Sequence, residues 1–147
     1  GSKLEMLKSL VKELRSESIE FWAVPDGQVP ATQARADVML LPIKKGAAAS
    51  SIPSKLPAYM FSGNPILASV DRNSDTANTI LDSGCGWVIE PEQPRVLCKL
   101  FKEIEEMSQS ELISMGMKGR EYALSHFSKK SNLRLLVNCI TDTVDFE

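Results

Sequence analysis

The sequence predicts an α/β fold, a parallel sheet with helices on both faces. Three observations carry that expectation. Short apolar runs recur without polar alternation, as in strands buried on both sides. Segments with apolar residues at three- and four-residue spacing stand between them. Glycine and proline punctuate the joins. Strand and helix in alternation is the pattern of a parallel sheet.

Each element follows from its residues. Ser2 to Arg15 reads as a helix, with Leu4, Leu7, Leu10, Val11 and Leu14 in one apolar stripe. Ile19 to Val24 is a short β-prone run closed by the turn residues Pro25-Asp26-Gly27. Pro30 to Ala36 forms a short helix with Pro30 in its first turn. Val38 to Ile43 is a buried strand, followed by the small, polar stretch Lys44 to Ser54. A helix runs from about Ser54 to Ser62, with Pro57 in its first turn and Gly63 at its end. Pro65 to Val70 is the next strand. Ser74 to Ser83 is a helix that Ser74 or Asp75 caps and Gly84 ends. Gly86 to Glu90 is a further strand, closed by Pro91. Pro94 to Met107 is a helix with Val96, Leu97, Leu100, Phe101 and Ile104 on one face. Ser108 or Ser110 caps another that reaches His126, and Lys130 to Thr143 makes the last.

Composition bounds the function. The chain has 147 residues, which fits one domain, and is 43% hydrophobic and 24% charged, which suits a folded core. No apolar run approaches the ~20 residues that span a bilayer, and no signal-peptide pattern stands at the start. A net charge of −2 gives no global attraction to nucleic acid or acidic lipid, so nucleic acid is not an expected partner. Local basic pairs remain, Lys44-Lys45 and Lys129-Lys130. Cys85, Cys98 and Cys139 form no CxxC and are odd in number. They read as buried structural thiols in a reducing cytoplasm. His126 is the only histidine, so a histidine metal site has little to build on.

The stretch from Val38 to Pro65 carries the chemistry. A buried strand runs into a loop of small residues and then into a helix. In open parallel sheets, ligands bind outside the carboxyl ends of the strands. Small residues let a ligand approach the backbone. A helix start near Ser54 and Lys55 offers amide N–H groups and the positive end of a dipole, which suits phosphate. Ser50, Ser51 and Ser54 add hydroxyls, and Lys55 adds charge. A GxxxxGK[ST] sequence is absent. Pattern alone therefore leaves two readings open: a phosphate site, or a loop with an ordinary helix cap.

The run from Ile52 to Glu92 narrows that choice. Pro53-Ser54-Lys55-Leu56, Gly63-Asn64-Pro65-Ile66, Ser74-Asp75-Thr76 and Cys85-Gly86-Trp87-Val88 stand in order along it. Ala36-Asp37-Val38 with Leu40-Leu41-Pro42 precedes them. Met115-Gly116, Gly119-Arg120-Glu121 and Phe127-Ser128 follow. In these motifs the chain resembles the carboxy-terminal domain of bacterial retaining glycosyltransferases of the GT-B fold (group 1/family 4 type). Within them it is similar to the surface-polysaccharide branch of fucosamine and colanic-acid transferases. The resemblance covers nearly the whole chain.

It implies a Rossmann-like sheet and donor binding. Lys45, Gly46, Ala47 and Ser50 would face the donor sugar. Ser51, Ser54 and Lys55 would hold the diphosphate. Val24, Pro25 and Ala58 would lie in the ribose and base region. The Asp71 to Asp75 loop has no assigned role beyond a cap. The implied partners are a nucleotide diphosphate-sugar and an amino-terminal acceptor domain. The nucleotide-sugar is a substrate, and no metal or other cofactor is required. The implied location is cytoplasmic, extending to the inner face of the plasma membrane for the whole protein.

Two departures from the family pattern stand out. Many relatives carry two glutamates eight residues apart, and these positions are Ser50 and Ala58 here. Losing a charge-assisted hydrogen bond costs about 1.5–3 kcal/mol. The family's domain usually opens with two further strands, and the expectation from the resemblance is that this piece lacks them and with them a complete catalytic set. In the usual order of such a sheet those strands separate Ile19–Val24 from Val38–Ile43. The expectation is that these two runs pair anew, or that the exposed edge drives self-association. Two alternatives to a transferase's donor-binding part remain open. One is a nucleotide-sugar epimerase of the same architecture, and the other is a non-catalytic interaction module.

Overall fold

The computed structural model describes residues 3–47 and 52–144. Among them lie three strands and seven helices: α1 (Leu4–Glu13), α2 (Val29–Gln33), β1 (Met39–Pro42), α3 (Lys55–Ser62), β2 (Ile66–Ser69), α4 (Asp75–Ser83), β3 (Gly86–Ile89), α5 (Pro94–Glu105), α6 (Gln109–His126) and α7 (Lys129–Val144). The strands are parallel in the order β1-β2-β3, with Met39 opposite Ile66 and Ile66 opposite Gly86. The α/β class, the parallel sheet and its helical cover on both faces stand as the sequence predicts.

Alternation along β2 sorts the core. Ile66, Ala68 and Val70 face one way, where Leu41 of β1, Cys85 just before β3, and Leu56, Met60, Ala77, Ile80 and Ala123 from α3, α4 and α6 join them. Leu67 faces the other way, among Ile104, Leu112, Leu97, Leu100 and Trp87. β2 is thus buried on both faces. β1 is not. Leu41 is 2% exposed, but Leu40 on the α5 side is 41% exposed, because α5 covers β2 and β3 and leaves β1 bare. This corrects the expectation of a fully buried Val38 to Ile43.

The helix ends are chemically specified. Gly63 closes α3 at φ 77°, a left-handed conformation that glycine enters without a Cβ penalty. The hydroxyl of Ser74, and not the carboxylate of Asp75, caps α4 by accepting from Ala77 N. Ser108, and not Ser110, caps α6 in a reciprocal capping box with Glu111. α6 then crosses close under the sheet. A Cβ on Gly116 would strike the carbonyl oxygen of Gly63, and one on Gly119 would come within 2.7 Å of Cys85 Cβ. These glycines admit the helix to contact with α3 and β3.

Two further expectations are corrected. The strand expected from Ile19 to Val24 is not formed. Its residues are exposed and irregular, with Trp22 63% exposed and donating to Glu20 Oε2 at 2.8 Å. A lone strand gains nothing from β-propensity without a ladder to join. The new pairing of this run with β1 is therefore absent as well. Met39 N and Ile43 N bond to β2, which turns Leu40 and Pro42 to the open edge. Pro42 has no N–H to offer there, a feature that blunts an edge. Of the cysteines only Cys85 is buried, and burial raises its thiol pKa. Cys98 and Cys139 are exposed, because Cys98 sits on the solvent side of α5 and Cys139 on α7, an outlying helix. No helix among the described residues is long and apolar enough to cross a membrane.

Candidate functional site

Every helix that follows a strand in a parallel sheet starts at the sheet's carboxyl edge. The loops after β1 and β2 and the starts of α3 and α4 therefore share one rim. Residues 44–47 leave β1 in a tight turn closed by Ala47 N donating to Lys44 O at 3.0 Å. Gly46 occupies its third position at φ 77°, where a side chain is strained although a Cβ would meet nothing within 4 Å. Lys45, Gly46 and Ala47 are exposed on this turn. Ser50 and Ser51 lie outside the described residues.

Ser54 and Lys55 stand exposed at the start of α3. Ser54 has helical dihedrals of −57° and −21°, and its hydroxyl makes no capping bond. The expected ordinary cap is thus not what Ser54 provides. Leu56 N donates to Pro53 O at 2.9 Å, and Pro57 in the first turn has no N–H. Lys44, Lys45 and Lys55 enter no ion pair among the described residues. The loops after β1 and β2 and the start of α3 carry Lys44, Lys45, Lys55 and Arg72 with Asp71 and Asp75, and Glu90 and Glu92 follow β3 at the same edge.

The remaining expected residues lie apart from that turn. Val24 and Pro25 are exposed in irregular chain, and Pro25 O accepts from Gln28 N at 3.1 Å. Among the described residues no hydrogen bond ties them to α3 or to the turn after β1. Ala58 opens into a cleft of about 290 Å³ between α2 and α3, lined by Pro30, Gln33, Ala34, Phe61 and Arg120 as well. Asn64 Nδ2 donates to Gln33 O at 2.6 Å and holds α2 against this end of α3. A larger volume, about 430 Å³, lies over Pro94, Arg95, Cys98, Lys99 and Lys102. All five belong to α5, so it is an open helix face away from the rim.

Two polar residues received no role from the sequence. Arg120 reaches the Ala58 cleft from α6, which no spacing within α3 could reveal. Asp71 Oδ2 accepts from Gly46 N at 2.7 Å and joins the two loops. Its signal was its place directly after an apolar strand, at a carboxyl end.

No protein-family model matches the sequence. A probable glycosyltransferase, WbjE of Pseudomonas aeruginosa, is 29% identical over 107 residues, covering 73% of this chain and 26% of WbjE. The sucrose-phosphate synthase of Thermosynechococcus elongatus, a GT-B protein, superposes on 100% of this chain with a TM-score of 0.76 at 17% identity, over 36% of its own length. In sequence the chain is similar to a glycosyltransferase, and in fold to a carboxy-terminal piece of a GT-B protein. Its homology is to a sugar transferase and its sheet is a Rossmann-like piece of that fold. The chain spans about a quarter of the curated relative it matches.

Proposed function

We propose that this chain is the donor-binding part of a longer glycosyltransferase, and that it holds the diphosphate of a nucleotide-sugar at the carboxyl rim. The observation that carries this reading is the exposed α3 start. Ser54 is spent on no cap there, Lys55 has no ion pair among the described residues, and the Lys44–Lys45 turn lies along the same rim. A diphosphate leaving group gains charge as the glycosidic bond breaks. The Ser54 hydroxyl and the Lys55 ammonium at the positive end of α3 stabilise that charge without reorganising. Transfer is metal-independent and retains the anomeric configuration, the sugar is a hexose, and the acceptor is a growing polysaccharide or its lipid carrier. This piece alone binds without turning over, because the acceptor-binding part lies elsewhere in the longer protein, at the cytoplasmic face of the membrane.

One observation favours a second reading. By the family resemblance, Ser50 and Ala58 stand where two glutamates are usual, which suits a non-catalytic interaction module. Calorimetric titration of uridine and guanosine diphosphates into the full-length protein separates the two. Binding weakened about tenfold or more by Lys55→Ala is expected, the cost of one charge-assisted bond. No binding up to millimolar nucleotide would favour the module, and an unchanged affinity in Lys55→Ala would move the diphosphate away from α3.

A further inference from the structure

The turn after β1 is held by one long-range bond. Gly46 is the third residue of that turn, and its N–H points away from the turn's own carbonyls. The acceptor is Asp71 Oδ2 at 2.7 Å, from a loop 25 residues further along. Asp71 is itself anchored. Its carbonyl accepts from Ser74 Oγ at 2.6 Å and from Ser74 N at 3.0 Å. Ser74 is buried, and its hydroxyl caps α4. A chain of hydrogen bonds thus runs from the α4 start through Asp71 to Gly46.

We propose that Asp71 is a positioning residue for the donor diphosphate: it clamps the Lys44–Ala47 turn against the β2 loop and so fixes the two lysines at the rim. This rests on the diphosphate reading above. The carboxylate does not touch the ligand. Its own charge opposes an anion nearby, so what it contributes to the site is the bond it makes to Gly46.

That opposition gives the test its sign. Uridine diphosphate and inorganic pyrophosphate are titrated into the full-length wild type, Asp71→Asn and Asp71→Ala. Asparagine keeps an acceptor for Gly46 N and drops the charge, so its affinity matches or exceeds wild type. Alanine drops both, and affinity falls about three- to tenfold, the worth of one hydrogen bond. Replacing Lys44 and Lys45 by alanine costs less in the Asp71→Ala background than in wild type, because the turn is already loose. If Asp71 were only a repelling charge, both variants would tighten binding, and that result overturns the proposal. So does wild-type affinity in Asp71→Ala. Absence of binding in the wild type removes the diphosphate reading and the proposal together. Amide exchange at Gly46 in the unliganded wild type supplies a readout that needs no variant. It is slowed relative to Lys45 if the clamp exists, and equal exchange rules the clamp out.

Discussion

The central part of the chain, from β1 to α6, and the segments that flank it obey the same patterning rules but have different fates. β2 lies between β1 and β3 with helices on both faces, and Ile66, Leu67, Ala68 and Val70 are fully buried. α1 has an equally regular apolar stripe, yet Leu4, Leu7, Leu10 and Leu14 are all exposed and the helix buries no residue. α7 likewise leaves Leu133, Leu136, Val137 and Ile140 exposed. Amphipathic patterning therefore states that a surface exists to be covered, and only topology decides whether this chain supplies the cover. The largest expected effect follows directly. Ile66→Ala creates a cavity in the sheet centre and lowers unfolding free energy by about 2–5 kcal/mol. Leu10→Ala, the same loss of bulk on α1, changes it by about 0.5 kcal/mol or less, since alanine is a good helix former and no packing is lost. Urea denaturation of the 147-residue chain checks the pair. Equal shifts would show that α1 is packed in solution and would end the distinction.

A second contrast lies within the packed part, between helices that approach closely and those that merely cover. Gly116 puts α6 against the Gly63 carbonyl, a backbone atom that cannot swing aside. Gly116→Ala is expected to cost about 1–3 kcal/mol through overpacking. On α5, Cys98→Ala touches only the solvent face and leaves the urea midpoint in place. A neutral Gly116→Ala would mean that α6 can move outward, and the α3–α6 contact would then not be what fixes the α3 end.

The same contrast explains what the sequence made legible. Most helices and the three strands that formed were readable to within a residue or two, while α2 ends at Gln33, three residues before the expected Ala36. Gly63 and Gly84 marked real helix ends, and Ser74 and Ser108 real caps. Ile19 to Val24 failed because β-propensity says nothing about whether a neighbouring strand is present. Leu40 failed because a continuous apolar run does not tell an edge strand from a central one. At the candidate site, Lys45, Gly46, Ser54 and Lys55 were readable as a strand-loop-helix sequence. Asp71 was not, because its bond to Gly46 crosses from one β-loop to the next, and parallel register alone sets that pairing. Cys98 was misread because a helix with lysines and glutamates around it hides which turn faces out.

The smallest expected effect is a pH dependence confined to the packed part. At the α6 start, Ser108 N donates to Glu111 Oε2 at 2.8 Å and Ser108 Oγ to the same oxygen at 2.6 Å. The Ser108 hydroxyl first, and its amide second, hold the Glu111 carboxyl below its ordinary value of 4.5. A lowered folded value means the carboxylate contributes stability above 4.5 that is lost as pH falls through the folded value. The wild-type urea midpoint should therefore decline on the acid side more steeply than that of Glu111→Gln. The two should converge as the carboxyl protonates. α1 carries a comparable surface pair, Lys8 with Glu5 at 3.1 Å, in a helix that buries nothing. Glu5→Gln should leave the global midpoint unmoved at every pH, because fraying of α1 is not coupled to unfolding of the sheet. Parallel wild-type and Glu111→Gln curves would show that the α6 cap opens independently, and α6 would then join α1 and α7 among the loosely held elements.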